Sequence, residues 1–431
     1  MSGRPQTPSR SLWRDARFRR FWVGETLSQF GDRISELALP LIAVVLLEAS
    51  AAEVGLLTAA VWAPNLLAIL VGSWVDQRPR KRGLLIAADV GRALVLASVP
   101  LAYVLDALTL GQLFVVALLA GAGQVLFSMS YPPFFVALVE RDQYLDANSK
   151  LSASRSVSFV AGPAIGGGLV QLVSAPFAIL VDAVTFLVSA VQIGRVHVDE
   201  QPPDTSEGSL LRRAHDGMRL IVRHPYLRAT LPCATTINFF TFMVQALIIL
   251  FASRTLGLSA GVIGLAFGIG ALGGVVGAVL APRLAGRFGV GNVIVAGAIL
   301  FPAPLAALAF ADGPGWESAA LLAGVEFVSA LGVMCFDVNL NSLQATVIPD
   351  AVRSRVAGAF STVNYGVRPL GALIGGLLGT YIGVRETLVV GAVGGALSVL
   401  WLLPSPVPAV RSLAELPAPE GDAFAAAVDS L

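Results

Sequence analysis

Charge is what this 431-residue sequence has least of: Asp, Glu, Lys and Arg together make up 13% of it, about half the share of a soluble globule. With 55% hydrophobic residues and a mean hydropathy of +0.76, the scarcity excludes a water-soluble domain and places the chain in a bilayer. Cysteine is nearly absent. Cys233 and Cys335 both fall in apolar runs, which argues against a disulfide framework or a cysteine metal site. The three histidines, His197, His215 and His224, share one polar region without ligand spacing, so no metal is expected. Lysine occurs only as Lys81 and Lys150, so the positive charge that orients a membrane protein rests almost wholly on arginine. No phosphate-loop sequence and no Ser/His/Asp constellation occurs, so ATP hydrolysis and enzyme chemistry are not expected, nor is a cofactor. Gly268, Gly270 and Gly273 match a dinucleotide fingerprint, but they lie in an apolar run with no strand before it and read as helix packing.

What is there is a series of runs long enough to cross a membrane as helices, about 20 apolar residues each. Six lie near 20–47, 54–75, 83–105, 110–138, 154–174 and 176–195, and six more near 229–252, 260–282, 290–311, 317–341, 356–381 and 386–403. Ala49-Ser50-Ala51 mimics a signal-peptidase site, but Asp32, Arg33 and Glu36 interrupt the apolar core that a signal peptide needs. The fold class expected is an all-α integral membrane protein, with twelve transmembrane helices in two six-helix pseudo-symmetric halves around a central cavity. The halves are 12–195 and 229–403. Residues 196–228 form a polar linker whose LLRRAHDGMRLIVRHPYLR stretch, with Leu210, Met218 and Ile221 among arginines, reads as an amphipathic helix on the inner membrane surface. Residues 1–11 and 404–431 are expected to be disordered tails.

Basic residues set the orientation. Arg14, Arg17, Arg19 and Arg20, then Arg78, Arg80, Lys81 and Arg82, then Arg212, Arg213, Arg219, Arg223 and Arg228, and later Arg283, Arg287, Arg353 and Arg355 all fall on one side of a twelve-span map. Only Arg254 and Arg385 fall in loops of the other side. The positive-inside bias therefore puts both termini in the cytoplasm and the protein in the plasma membrane.

The halves repeat. ALVERDQ followed by RSVSFVAGPAIGGGLV in the first half parallels ATVIPDA followed by STVNYGVRPLGALIGGLL in the second, and two related six-span halves are a transporter architecture with a site at their interface. The stretch GSWVDQRPRKR, Gly72 to Arg82, resembles the loop signature G-x-x-x-D-R-x-G-R-K/R that the major facilitator superfamily carries after its second helix. Gly72, Asp76, Arg80 and Lys81 match, while Gln77 and Pro79 depart from it. The resemblance implies a gating loop in which Asp76 latches onto the eleventh helix. The corresponding place in the second half has Gly286 where Asp76 stands, so the latch is expected to be one-sided. Gly162, Pro163, Gly166 and Gly167 resemble the G-P-x-x-G-G element of antiporters in that superfamily, with Ser158 in place of a further glycine. SQFGDRISELALP and RHPYLR resemble more loosely the branch of siderophore exporters and macrolide-type efflux proteins.

Charge inside an apolar span needs a partner or a function. Glu25, Gln29, Asp32 and Glu36 share one face of the first span. Polar stripes recur as Gln124, Ser128 and Tyr131 in the fourth span, Asn238, Thr241 and Gln245 in the seventh, and Glu326, Asp337, Asn341 and Gln344 in the tenth. In the superfamily these four helices line the central cavity. Asp32, nearest the middle of the first span, is the first candidate for a coupling proton or for substrate, followed by Glu36 and Glu326. Asp89 and Arg92, three apart, are placed to neutralise each other, and Arg33 to pair with Asp32 or Glu36; Arg368 has no obvious local partner. The reading is a monomeric, proton-coupled exporter of an amphipathic small molecule such as a drug, siderophore or secondary metabolite, without nucleic-acid partners. A proton-coupled importer is the alternative within transport; a membrane receptor or integral membrane enzyme is the alternative outside it.

Overall fold

The computed structural model describes residues 12–198, 200 and 210–416. The tail expected at 1–11, the last part of that expected at 404–431, and much of the linker lie outside the described residues. Regular structure among the described residues is helical throughout. Six helices precede the linker: α1 (Ala16–Leu41), α2 (Ala51–Asp76), α3 (Lys81–Val104), α4 (Leu110–Leu138), α5 (Tyr144–Val173) and α6 (Ala175–Gly194). The linker helix α7 (Leu210–Arg223) leads to α8 (Leu227–Leu250), α9 (Ala260–Phe288), α10 (Val290–Phe310), α11 (Trp316–Val347), the two-part α12 (Asp350–Gly366 and Arg368–Tyr381) and α13 (Val384–Trp401).

Ten of these are long and apolar enough to cross a membrane on length and composition alone. Of the other two expected spans, α1 is long enough but carries Glu25, Asp32, Arg33 and Glu36, and α12 is broken into parts of 17 and 14 residues, the second opening on Arg368. Charges within a span are tolerated where they meet protein or a cavity rather than lipid. α12 breaks at Val367, where Pro369 lacks the N–H that a continuous helix would require.

The internal repeat extends to single residues. α1 and α8 both end in a five-residue π turn, Ile42–Leu46 and Phe251–Thr255, and α2 and α9 then start on the N-caps Ser50 and Ser259. The apolar core shows how the halves meet. On the face opposite the termini one cluster runs through both halves, joining Leu41, Val54 and Ile179 to Val244, Phe251 and Leu305. On the face bearing the termini there are two clusters, one per half, around Phe18, Phe134 and Ile193 and around Ile237, Phe336 and Leu402. The apolar core is closed across the halves on the first face and divided between them on the second.

The expected linker helix is present as α7, with part of its apolar side turned onto the bundle: Leu220 and Ile221 are buried in the second-half cluster, and Gly217 lets the Arg355 carbonyl of α12 come close. One expectation changes. Residues 404–416, expected to be disordered, are folded. Val407 and Val410 are buried, and the carbonyls of Val410 and Arg411 accept from the N–H groups of Gly291 and Val290 at 2.9 and 3.2 Å. No side chain caps the start of α10, so the returning chain satisfies its orphan donors.

Candidate functional site

Between the halves, α1, α5, α8, α9 and α11 enclose a cavity of about 240 Å³. Its walls are mostly apolar: Leu37, Phe159, Pro163, Ile248, Ile249 and Phe267. Its polar groups are Arg33, Glu36, Gln245 and Glu326. Arg33 donates to Glu36 at 2.6 Å and lies over the Phe159 ring at 5.2 Å. Glu326 comes from the other half. Gly270 of α9 packs directly on it, since any side chain there would strike the Glu326 Cβ, and its Oε1 is buried without a hydrogen-bond partner among the described residues. Of the expected polar stripes, the structure thus brings Glu36, Gln245 and Glu326 to one cavity.

Asp32 goes elsewhere. Arg92 of α3 donates to Asp89 at 2.6 Å and to Gln124 at 2.5 Å, and its guanidinium stands 3.6 Å from Asp32 and 3.9 Å from the centre of the Phe186 ring. The expected Asp89–Arg92 pair is present, and it also holds Asp32 and Gln124, two residues assigned to the cavity from sequence. Gln29 donates to Glu25 at 2.8 Å, in the interior of the first half. Ser128 donates to the Gln124 carbonyl one turn back, and Tyr131 stacks on Phe135 in the aromatic cluster near the termini. One buried carboxylate escaped the sequence reading. Asp182 of α6 is fully buried, accepting from Ser35 of α1 and, at 3.2 Å, from Thr185. Gly31 leaves the room it occupies. A lone aspartate in the otherwise uncharged run Ala175–Gly194 was the signal available.

Arg368 has partners after all, and they come from both halves. Its Nε donates to Asn238 at 2.8 Å, and Asn238 donates to Asn364 at 2.9 Å. Its guanidinium lies 4.1 Å from the ring centre of Tyr365 and 4.6 Å from those of Phe242 and Trp62, the last contributed by α2. Asp337 lies within electrostatic reach of it, and Asn341 is exposed one turn further on.

The gating-loop residues sit on the face bearing the termini. Asp76 is exposed and makes no ion pair among the described residues, although the end of α2 that carries it, Ala68–Asp76, packs against the Asp350–Gly366 part of α12 and against α7. Lys81 does a local job: its Nζ donates to the carbonyls of Val75, Asp76 and Arg78 at 2.5, 2.9 and 2.5 Å, capping α2. Glu200 accepts from the N–H groups of Lys81 and Arg82 at 2.5 and 2.8 Å, capping α3 and tying down the start of the linker. Arg80 is exposed, and Gly72 faces Met129.

The closed face is built from one device used twice. Gly55 of α2 crosses Gly376 of α12, where a side chain would strike the Ala372 carbonyl; Gly264 of α9 crosses Gly167 of α5, where it would strike the Pro163 carbonyl. One turn beyond each crossing, a side chain of one half caps a helix start in the other. Thr380 accepts from the Ala52 N–H at 3.0 Å, and Gln171 accepts from the Gly261 N–H at 3.1 Å. Gly162 and Gly166, also in the G-P-x-x-G-G element, instead seat α5 on Arg33 and Ile34 of α1. Arg254 adds an unrepeated tie, donating to the carbonyls of Ala49 and Val44 at 2.8 and 2.6 Å.

Comparison with known proteins agrees with this architecture. The sequence is 23% identical over 375 residues to an uncharacterised transporter of Bacillus subtilis (strain 168), YfiS, covering 85% of this chain and 88% of that one. The structure resembles the nucleoside transporter NupG with a TM-score of 0.71 at 12% identity, over 90% of this chain and 98% of that one. It resembles a bacterial homologue of the iron transporter ferroportin in its inward-facing state with a TM-score of 0.72 at 18% identity, over 92% and 99%. These structural likenesses establish the fold. The family model of the Major Facilitator Superfamily matches residues 21–367 and 231–427, and the chain, a multi-pass membrane protein, belongs to that superfamily of secondary transporters.

Proposed function

We propose that the protein is a proton-coupled exporter of an amphipathic small molecule, with both termini in the cytoplasm. The observation that carries this reading is the cavity itself: apolar and aromatic walls with one carboxylate from each half, Glu36 and Glu326. Apolar walls suit a molecule with a large hydrophobic part, and carboxylates can exchange protons as the halves rock about them. The G-P-x-x-G-G element supports antiport, and the two looser segment matches support an exporter of the siderophore or macrolide-efflux kind. The arginine bias supports an assignment of the divided face to the cytoplasm, so that this conformation would load from inside.

Inverted membrane vesicles holding the overproduced chain test the direction. Acidifying their interior should drive uptake of a fluorescent amphipath such as ethidium, and a protonophore should abolish it. Accumulation only in right-side-out vesicles would establish the importer instead. Single cysteines at positions 80 and 353 should resist an impermeant label in intact cells, while those at 254 and 385 should accept it; labelling at 80 would overturn the orientation.

A further inference from the structure

The charges in the cavity do not balance. Arg33 answers Glu36 at 2.6 Å, but no cation answers Glu326, whose Oε1 is buried and unpartnered among the described residues. The helices packed around Glu326 supply none. α10 carries no charged residue, α9 has basic residues only at its far end, Arg283 and Arg287, and α8 has them only at its ends, Arg228 and Arg254. In α5 the nearest is Arg155, a turn beyond Phe159 and outside the cavity wall, and in α11 Asp337 lies further along, towards Arg368. Arg33 and Glu36 are thus the titratable or charged groups sharing the space, and with Glu326 ionised the cavity carries one negative charge in excess.

We propose that Glu326 anchors a binding site for amphipathic organic monocations. The cation would complete the hydrogen-bonding or electrostatic needs of a carboxylate that the protein leaves unmet, which is costly unless something else meets them. Phe267, Ile248 and Ile249 line the same cavity and suit the apolar remainder of the molecule. Glu36 does not compete for this role, because its carboxylate is held by Arg33. A proton on Glu326 removes the charge that holds the cation, so proton and cation exclude one another there. This inference rests on reading the cavity as the transport site, and it supplies the substrate class that the reading leaves open.

Equilibrium binding of ethidium to the purified full-length chain, followed by its fluorescence, tests the site without requiring transport. The uncharged 6-phenylphenanthridine, with the same ring system, serves as the control for cavity shape. Glu326→Gln should weaken ethidium binding by roughly tenfold or more, as loss of a buried charge partner does, and leave the uncharged compound unaffected. Glu36→Gln should change ethidium binding far less. In the wild type, acidification should weaken ethidium binding; in Glu326→Gln it should not. Binding of ethidium that is unaltered in Glu326→Gln, equal losses of both compounds, or no ethidium binding by the wild type would overturn the proposal. If binding behaves as expected while vesicles move no ethidium under any gradient, the site stands and the transport reading fails.

Discussion

Arg92 answers Asp89, Gln124 and Asp32 at once, but it does not hold the two carboxylates equally. Asp89 is fully buried and tightly paired, so Asp89→Asn, which leaves the guanidinium short of its main counter-charge, should destabilise the protein by about 3–5 kcal/mol. Asp32 is 3.6 Å away with a third of its side chain exposed, so Asp32→Asn should cost no more than about 1 kcal/mol. Thermal unfolding of the two purified variants should separate them in that order, and equal losses would mean that Arg92 leans on both. Sequence order placed Asp32 on a polar face but could not show which way the face turns. We propose the cavity carboxylates as the better candidates for the coupling proton, because α3, two helices along the chain, supplies an arginine to Asp32 and none to Glu326.

A helix crossing in this bundle is set by where glycines fall, and on the closed face they fall in matching places of the two halves. Gly167→Val and Gly376→Val each push a side chain into the backbone of the partner half. Both should lower transport strongly at normal membrane levels, while Thr380→Val, which removes one cap of the net order of about 1 kcal/mol, should do less. Flux per unit of protein in vesicles checks the order; wild-type flux in both glycine variants would mean that closure does not depend on these crossings. Much of this was legible in sequence, because glycines and a proline in an apolar run mark close helix contact. The partner was not: nothing in G-P-x-x-G-G says that Gly162 meets α1 while Gly167 meets α9, since that depends on which side of α5 each faces. The folded residues 404–416 were misjudged for the opposite reason. A tail rich in Pro, Ala and Ser suits disorder, but Val407 and Val410 found a place on the bundle.

At the scale of the whole molecule, one core joins the halves on the closed face and each half has a core of its own on the other. Asp76 is exposed and makes no ion pair among the described residues in this conformation. If it latches the halves in the alternative one, Asp76→Asn should leave thermal stability unchanged and slow transport, and Gly286→Ala, at a position open to an added methyl, should be nearly silent. Equal effects on flux would reduce the loop to a charge signal. The twelve-span fold was readable from hydropathy, charge bias and repeat, because a bilayer leaves a chain few ways to satisfy its backbone. The cavity was readable only in part, since it depends on residues from five helices meeting in space. The measurement that tests the central claim most directly is proton movement in sealed liposomes holding the purified chain and a trapped pH-sensitive dye. An inward ethidium gradient is imposed with no starting pH gradient and the voltage clamped. Proton-coupled export by exchange predicts that the lumen turns alkaline as ethidium enters and protons leave; a lumen that turns acidic, or does not change while ethidium enters, would contradict it.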